Sequence, residues 1–145
     1  VYETLIQRAK EQFGKKSESA AVRHLVKNGY KILEQNYHTR QGEIDIVAKE
    51  GDTIVFVEVK ARRSDRFGSP KEAITSKKQK KISMLALYYL KETGQSYSKA
   101  RFDVVTILAS TRKSKQTPKI IPETRENSSD FRIEIIKNAF ELAYE

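Results

Sequence analysis

The sequence predicts a single α/β domain: a mixed β-sheet flanked by helices. Three observations carry that reading. Apolar residues recur first at helical spacing, then in strand-like alternation, then at helical spacing again and in a further strand. Two consecutive segments, GEIDIVA and TIVFVEVK, are apolar enough to be buried core strands around a tight turn. The 145 residues suffice for one core, and no repeat or linker divides them.

Taken in order, Tyr2, Leu5, Ile6, Ala9 and Phe13 predict an N-terminal helix over 2–13, packed on the domain and broken at Gly14-Lys15-Lys16. Ser17 then caps a second helix, SESAAVRHLVKN, which Gly29 closes at its C′ position. Within it Glu18, Val22 and Leu25 share one face, so a carboxylate heads an apolar stripe. Tyr30 to Tyr37 alternates weakly, as a strand. GEIDIVA and TIVFVEVK form a hairpin with its turn at Gly51-Asp52. ARRSDRFGSP reads as a polar loop, with a capping signal at Ser69-Pro70 and Glu72. Ile82, Leu85, Ala86, Tyr89 and Leu90 mark a helix from about Thr75 to Thr93, ended by Gly94. RFDVVTIL is another strand. Residues 110–130 read as a basic, then polar, mobile loop. FRIEII is a final strand, running into a short helix at NAFELA.

Composition narrows the function. Lys and Arg total 28 against 19 Asp and Glu, giving a net charge of +9. A balance this basic favours polyanions, nucleic acid first and an anionic membrane second; the bland alternative is a basic protein that binds nothing in particular. No cysteine is present, which excludes disulfides and thiolate metal sites and suits a cytoplasmic setting. No apolar run approaches a membrane span, and VYETLIQRAKEQF is unlike a secretory signal. The start at Val1 rather than Met reads as trimmed.

The hairpin carries the chemistry. With a two-residue loop Glu50 faces Thr53, Asp45 faces Glu58 and Glu43 faces Lys60. Glu43, Asp45, Val47, Phe56, Glu58 and Lys60 then share one face, and Ile44, Ile46, Ala48, Val55, Val57 and Val59 the other. Two carboxylates directly opposite each other repel. Lys60 relieves part of that and a divalent cation relieves more, the oxygen donors suiting Mg²⁺ or Mn²⁺. A lysine beside such an ion can hold or help deprotonate a water that attacks a phosphodiester. The alternative is a salt bridge on a solvated sheet face, with Lys60 pairing Glu58 or Glu43.

These residues resemble the PD-(D/E)XK nuclease superfamily, whose restriction-endonuclease-like core is a helix, a three-stranded meander, a helix and a strand. Within it the chain is most similar to the YraN family, related in fold to archaeal Holliday-junction resolvases. The resemblance runs from Gly14-x-x-x-Glu18 and Asn28-Gly29-Tyr30, through GEIDIVA, FVEVKAR, Phe67-Gly68 and Lys77, to RFDVV at 101–105 and NAF at 138–140. ExK alone is weakly specific; spaced with GEID in this order it is strongly so. The resemblance implies that Asp45 is the acidic residue of the second core strand, that Glu58 and Lys60 are the (D/E)XK pair, and that Glu18 is the helix carboxylate of resolvase-like members. It implies Glu18, Asp45, Glu58 and the Val59 carbonyl as metal ligands. Ile44 stands where the motif's name expects proline.

Other residues are weighed on their own. Lys77, Lys78, Lys80 and Lys81 crowd the start of the long helix and could grip phosphates there, or simply form a solvated face. Gln79 could support the site. Arg62, Arg63 and Arg66 follow the hairpin and are read as nucleic-acid contacts, with Arg112, Lys113 and Lys115 weaker candidates. His24 is expected at the surface, His38 at a strand end, and Tyr88 and Tyr89 in core or interface positions. Asp103 is expected to make a structural hydrogen bond or ion pair.

The expected activity is Mg²⁺- or Mn²⁺-dependent hydrolysis of phosphodiesters in DNA, with branched or structured DNA included. The alternative is a nucleic-acid-binding module whose nuclease site is vestigial or regulatory. A weaker third reading is a scaffold whose basic surface meets an acidic protein. Resolving a junction requires two active sites and hence a homodimer, for which the sequence offers no face.

Overall fold

A computed structural model of the chain describes residues 2–62, 74–109 and 131–142. Seven elements follow in order: α1 (Tyr2–Lys27), β1 (Lys31–Thr39), β2 (Gly42–Glu50), β3 (Thr53–Arg62), α2 (Ser76–Glu92), β4 (Lys99–Ala109) and β5 (Phe131–Phe140). The five strands form one sheet in sequence order. β1–β2, β2–β3 and β4–β5 pair antiparallel, and β3–β4 pair parallel. The parallel pair requires a crossover, which α2 supplies. This is the restriction-endonuclease-like α/β arrangement, with β5 extending the sheet.

The hairpin at the centre explains itself from its turn outward. Gly51 takes φ 60° at the first of two loop positions while Asp52 does not, as in type II′ hairpins. Glu50 therefore pairs with Thr53, Val47 with Phe56 and Ile46 with Val57, the expected register. Both faces of the hairpin are buried. Val47, Ile54 and Phe56 pack with Ile82, Leu85, Ala86, Tyr89 and Leu90 of α2. Ile46, Ala48, Val55 and Val57 pack with Ala20, Ala21 and Leu25 of α1. Phe56 is central on the α2 side, set edge-on to Tyr89 with ring centroids 5.8 Å apart and 5.7 Å from Phe102.

Three expectations need correction. The helix placed at 2–13, with a break at Gly14-Lys15-Lys16, is the first half of one continuous 26-residue helix. A lone glycine costs a helix only about 1 kcal/mol relative to alanine and no proline is present. Ser17 does not cap a new helix; its hydroxyl donates back to the Phe13 carbonyl at 2.7 Å. Nor is that first half packed on the domain throughout, since Leu5 and Ile6 are more than half exposed. Phe13 does touch the sheet, its ring lying 6.3 Å from that of Phe131.

Of the short helix expected at NAFELA, Asn138, Ala139 and Phe140 instead end β5, Glu141 and Leu142 follow it without helix, and Ala143 lies outside the described residues. Asn138 adopts φ 52°, and its N–H donates to Asp103 across a bulge opposite β4. Phe140 then stacks on Phe102 at 4.7 Å, so tertiary contacts override local helix propensity. Finally, Ile44 does not join Ile46. It packs on the α2 side with Tyr37, because alternation breaks at Asp45, opposite the stretch of β1 where Asn36 has φ 53°. The excursion at 110–130 lies outside the described residues.

Candidate active site

The β2–β3 ladder ends at Ile46–Val57, one residue short of Asp45 and Glu58. Beyond that point Asp45 takes over as acceptor: the Val59 N–H donates to its Oδ2 at 2.8 Å. A residue's N–H and C=O point to the same side of an extended strand, so the Val59 carbonyl faces the same gap. The parallel pairing of β3 with β4 continues through Arg62, which keeps Glu58, Val59 and Lys60 on rigid backbone.

Four charged side chains converge here. Glu58, on β3, is buried at 7% exposure. Lys78 reaches it from the first turn of α2, with Nζ 2.5 Å from Oε1, and Lys60 Nζ lies 3.8 Å from the same oxygen. Asp45 is close enough to Glu58 to share a hydrogen-bonded proton. Burial and the neighbouring Glu58 charge push the Asp45 carboxyl up to about 7, against the pull of the Val59 N–H, with Glu18 adding a further negative charge. Burial and the adjacent Lys78 hold the Lys60 ammonium below its usual range, although Glu58 and Asp45 oppose this. Lys78 moves the other way: burial pulls it down, but the Glu58 contact and its other neighbours leave it raised.

Asp45, Glu58, Lys60 and the Val59 backbone thus lie together at the end of the hairpin ladder. Glu18, half-buried on α1, stands within electrostatic reach of Asp45. Among the described residues no three carboxylate or imidazole side chains form a ready-made metal cage. Magnesium characteristically takes one or two carboxylates and keeps waters, so the Asp45–Glu58 pair fits it by donor chemistry. The upward push on the Asp45 carboxyl comes first from burial and then from the Glu58 charge, and a cation would relieve the latter.

One predicted neighbour is not brought in. Glu43 is exposed and faces His38, Oε2 to Nδ1 at 3.7 Å, rather than Lys60. Asp103, fully buried, belongs to a separate network. It accepts from Tyr30 Oη (2.8 Å), Arg101 Nε and Nη2 (2.8 and 2.9 Å) and the Asn138 N–H (2.9 Å). Arg101 and Lys137 both reach Glu50, so this network ties the start of β1, the end of β2, β4 and β5 together. It is structural, as expected for Asp103. No buried side-chain polar atom among the described residues lacks a partner.

The basic candidates divide. Lys77, Lys80 and Lys81 are exposed on α2. Lys81 lies over the start of β2, where a β-carbon on Gly42 would meet its Cε at 2.8 Å. Gly42 has φ 144°, and its missing side chain lets α2 close down beside the site. Gln79 turns back to the Ile74 carbonyl at 3.0 Å and Thr75 Oγ1 accepts from the Lys78 N–H at 3.2 Å, so both order the first turn of α2. Arg62 is half-buried at the end of β3, while Arg63, Arg66, Arg112, Lys113 and Lys115 lie outside the described residues.

Lys78 is the residue whose place in the site the sequence did not disclose. Four lysines in five residues suggest a solvated face. Only the packing of α2 across β2 and β3 turns one of them onto Glu58.

A family model and several relatives match this chain. The profile of "Uncharacterised protein family UPF0102" matches residues 17–107, a span that contains Glu18, Asp45, Glu58, Lys60 and Lys78. A UPF0102 protein from Desulfosudis oleivorans is 46% identical over 132 residues, covering 91% of this chain and 92% of its own. One from Syntrophus aciditrophicus is 48% identical, covering 90% of each chain. One from Geobacter metallireducens is 48% identical over 92% of this chain and 96% of its own.

Proposed function

This chain belongs to the uncharacterised protein family UPF0102, the PD-(D/E)XK-like YraN family that its motifs resemble, and from its side chains we propose that it is a divalent-metal-dependent nuclease acting on DNA. The observation that carries the reading is the meeting of Asp45 and Glu58 where the β2–β3 ladder ends, with Lys60 beside them. Burial and the Glu58 charge both oppose ionisation of Asp45, and a cation held between the two carboxylates would offset that cost. When bound by Asp45 and Glu58, with the Val59 carbonyl and Glu18 as further oxygen donors, Mg²⁺ or Mn²⁺ would supply positive charge for a phosphodiester's oxygens.

The protein's own groups do the rest. Lys60, held below its usual range, takes or orients a proton of the attacking water at its Nζ. Lys77 and Lys81 on α2, with Arg62, Arg63 and Arg66 after the hairpin, bind the phosphate backbone, for which the +9 net charge is suited. A cytoplasmic setting fits a chain without cysteine, and among the described residues no helix is long and apolar enough to cross a membrane.

A second reading, a nucleic-acid-binding module with a vestigial or regulatory site, draws on the ion pair that already satisfies Glu58. Cleavage of labelled duplex, single-stranded, flap and four-way-junction DNA separates the two. The nuclease reading expects cuts in Mg²⁺ or Mn²⁺ that EDTA and Asp45→Ala both abolish. Retention of DNA in EDTA with no cuts on any substrate would transfer the assignment to the binding module.

A further inference from the structure

Lys78 is bound to Glu58 more closely than Lys60 is, yet it has more freedom to leave. Its side chain is 41% exposed against 24% for Lys60, while Glu58 keeps only 8%. A carboxylate that buried must hold a counter-charge, whereas a half-exposed ammonium can return to water with little loss. The backbone beneath Lys78 is anchored, its N–H held by the Thr75 hydroxyl at the start of α2. Its four-carbon stem can therefore swing without moving the helix.

Charge counting shows when it would swing. Lys60 and Lys78 already crowd one carboxylate oxygen, their Nζ atoms 3.8 and 2.5 Å from Glu58 Oε1. A divalent ion at Asp45 and Glu58 would put four positive charges against two carboxylates there. The more exposed lysine is the one that yields.

We infer that Lys78 is an exchangeable counter-cation: it holds Glu58 in the metal-free protein, surrenders it to a divalent ion, and turns outward to a phosphate oxygen of the nucleic acid. This rests on the metal reading above and adds a positioning residue that the ExK element does not contain. It also makes metal and substrate act together, because the phosphate gives the displaced ammonium a new partner.

The test follows wild-type side chains by NMR during a Mg²⁺ titration, reading the Asp45 and Glu58 carboxyl carbons and the Lys78 ammonium. Exchange requires the carboxyl signals to shift while the Lys78 ammonium loses its protection from hydrogen exchange. Carboxyl shifts with Lys78 still protected would overturn the exchange and leave the metal site standing. No shift at either carboxyl in saturating Mg²⁺ would overturn both. Lys78→Met gives an independent readout: Mn²⁺ affinity in the absence of DNA should tighten roughly tenfold as a competing charge is removed. Unchanged or weaker Mn²⁺ binding would refute the competition. Should Lys78→Met fail to fold, Lys78→Gln carries the same expectation.

Discussion

Asp45→Asn offers a test that does not depend on activity. The substitution keeps the shape of the side chain and the Val59 N–H contact, lets the new amide donate to Glu58, and removes the repulsion between the two carboxyls. In the folded protein the Asp45 carboxyl titrates at about 7 rather than 3.8, its charged form being opposed by burial and by Glu58. Between those values the folded state holds a proton that the unfolded state has released, so stability falls as pH rises through the window and is lowest above it. That difference corresponds to a ceiling of about 4 kcal/mol. Partial solvation of the carboxyl brings the expectation nearer to about 2 kcal/mol. In urea denaturation with EDTA, Asp45→Asn should match the wild type at about pH 4 and exceed it by about 2 kcal/mol at about pH 8. Saturating Mg²⁺ should reverse the order, adding about 2.7 kcal/mol to the wild type at a hundredfold excess over Kd and far less to the variant. The reasoning fails if Asp45→Asn is no more stable than wild type above neutrality in EDTA, or if Mg²⁺ stabilises both equally.

Other expectations follow from the same coordinates. Lys60→Met should lower the cleavage rate by about 10²- to 10⁴-fold while leaving DNA retention on a filter nearly unchanged, and loss of binding in parallel would assign Lys60 to the interface instead. Asp103→Ala removes the acceptor shared by Tyr30, Arg101 and the Asn138 N–H, and should destabilise the protein by about 3–5 kcal/mol in urea; a change under 1 kcal/mol would mean that the network contributes little. Gly42→Ala combines a φ of 144° with a Cβ only 2.8 Å from Lys81 Cε. It should reduce stability by about 1–2 kcal/mol, and an unchanged midpoint would show that β2 and the Lys81 stem shift freely.

The central hairpin was legible because its determinants are local. Gly51-Asp52 sets the loop, and the loop sets the register from Glu50–Thr53 to Ile46–Val57, which carries β2 and β3 up to Asp45 and Glu58. The order of helical and alternating periodicities likewise specified the sheet and its two covering helices, since each period records which faces must be buried. What sequence could not supply are the features decided by partners distant in the chain. Whether Gly14 breaks a helix depends on a cost of about 1 kcal/mol, small enough for either outcome. Asn138, Ala139 and Phe140 extend a strand only because Asp103 and Phe102 wait on β4. Ile44 changes sides where alternation breaks at Asp45, opposite a left-handed residue on the neighbouring strand. Lys78 shows the limit most clearly, because nothing in SKKQKK separates the lysine that enters the site from those that face solvent. That choice is made by the packing of α2 on β2 and β3, and it places a second ammonium on the carboxylate that the sequence had assigned to one.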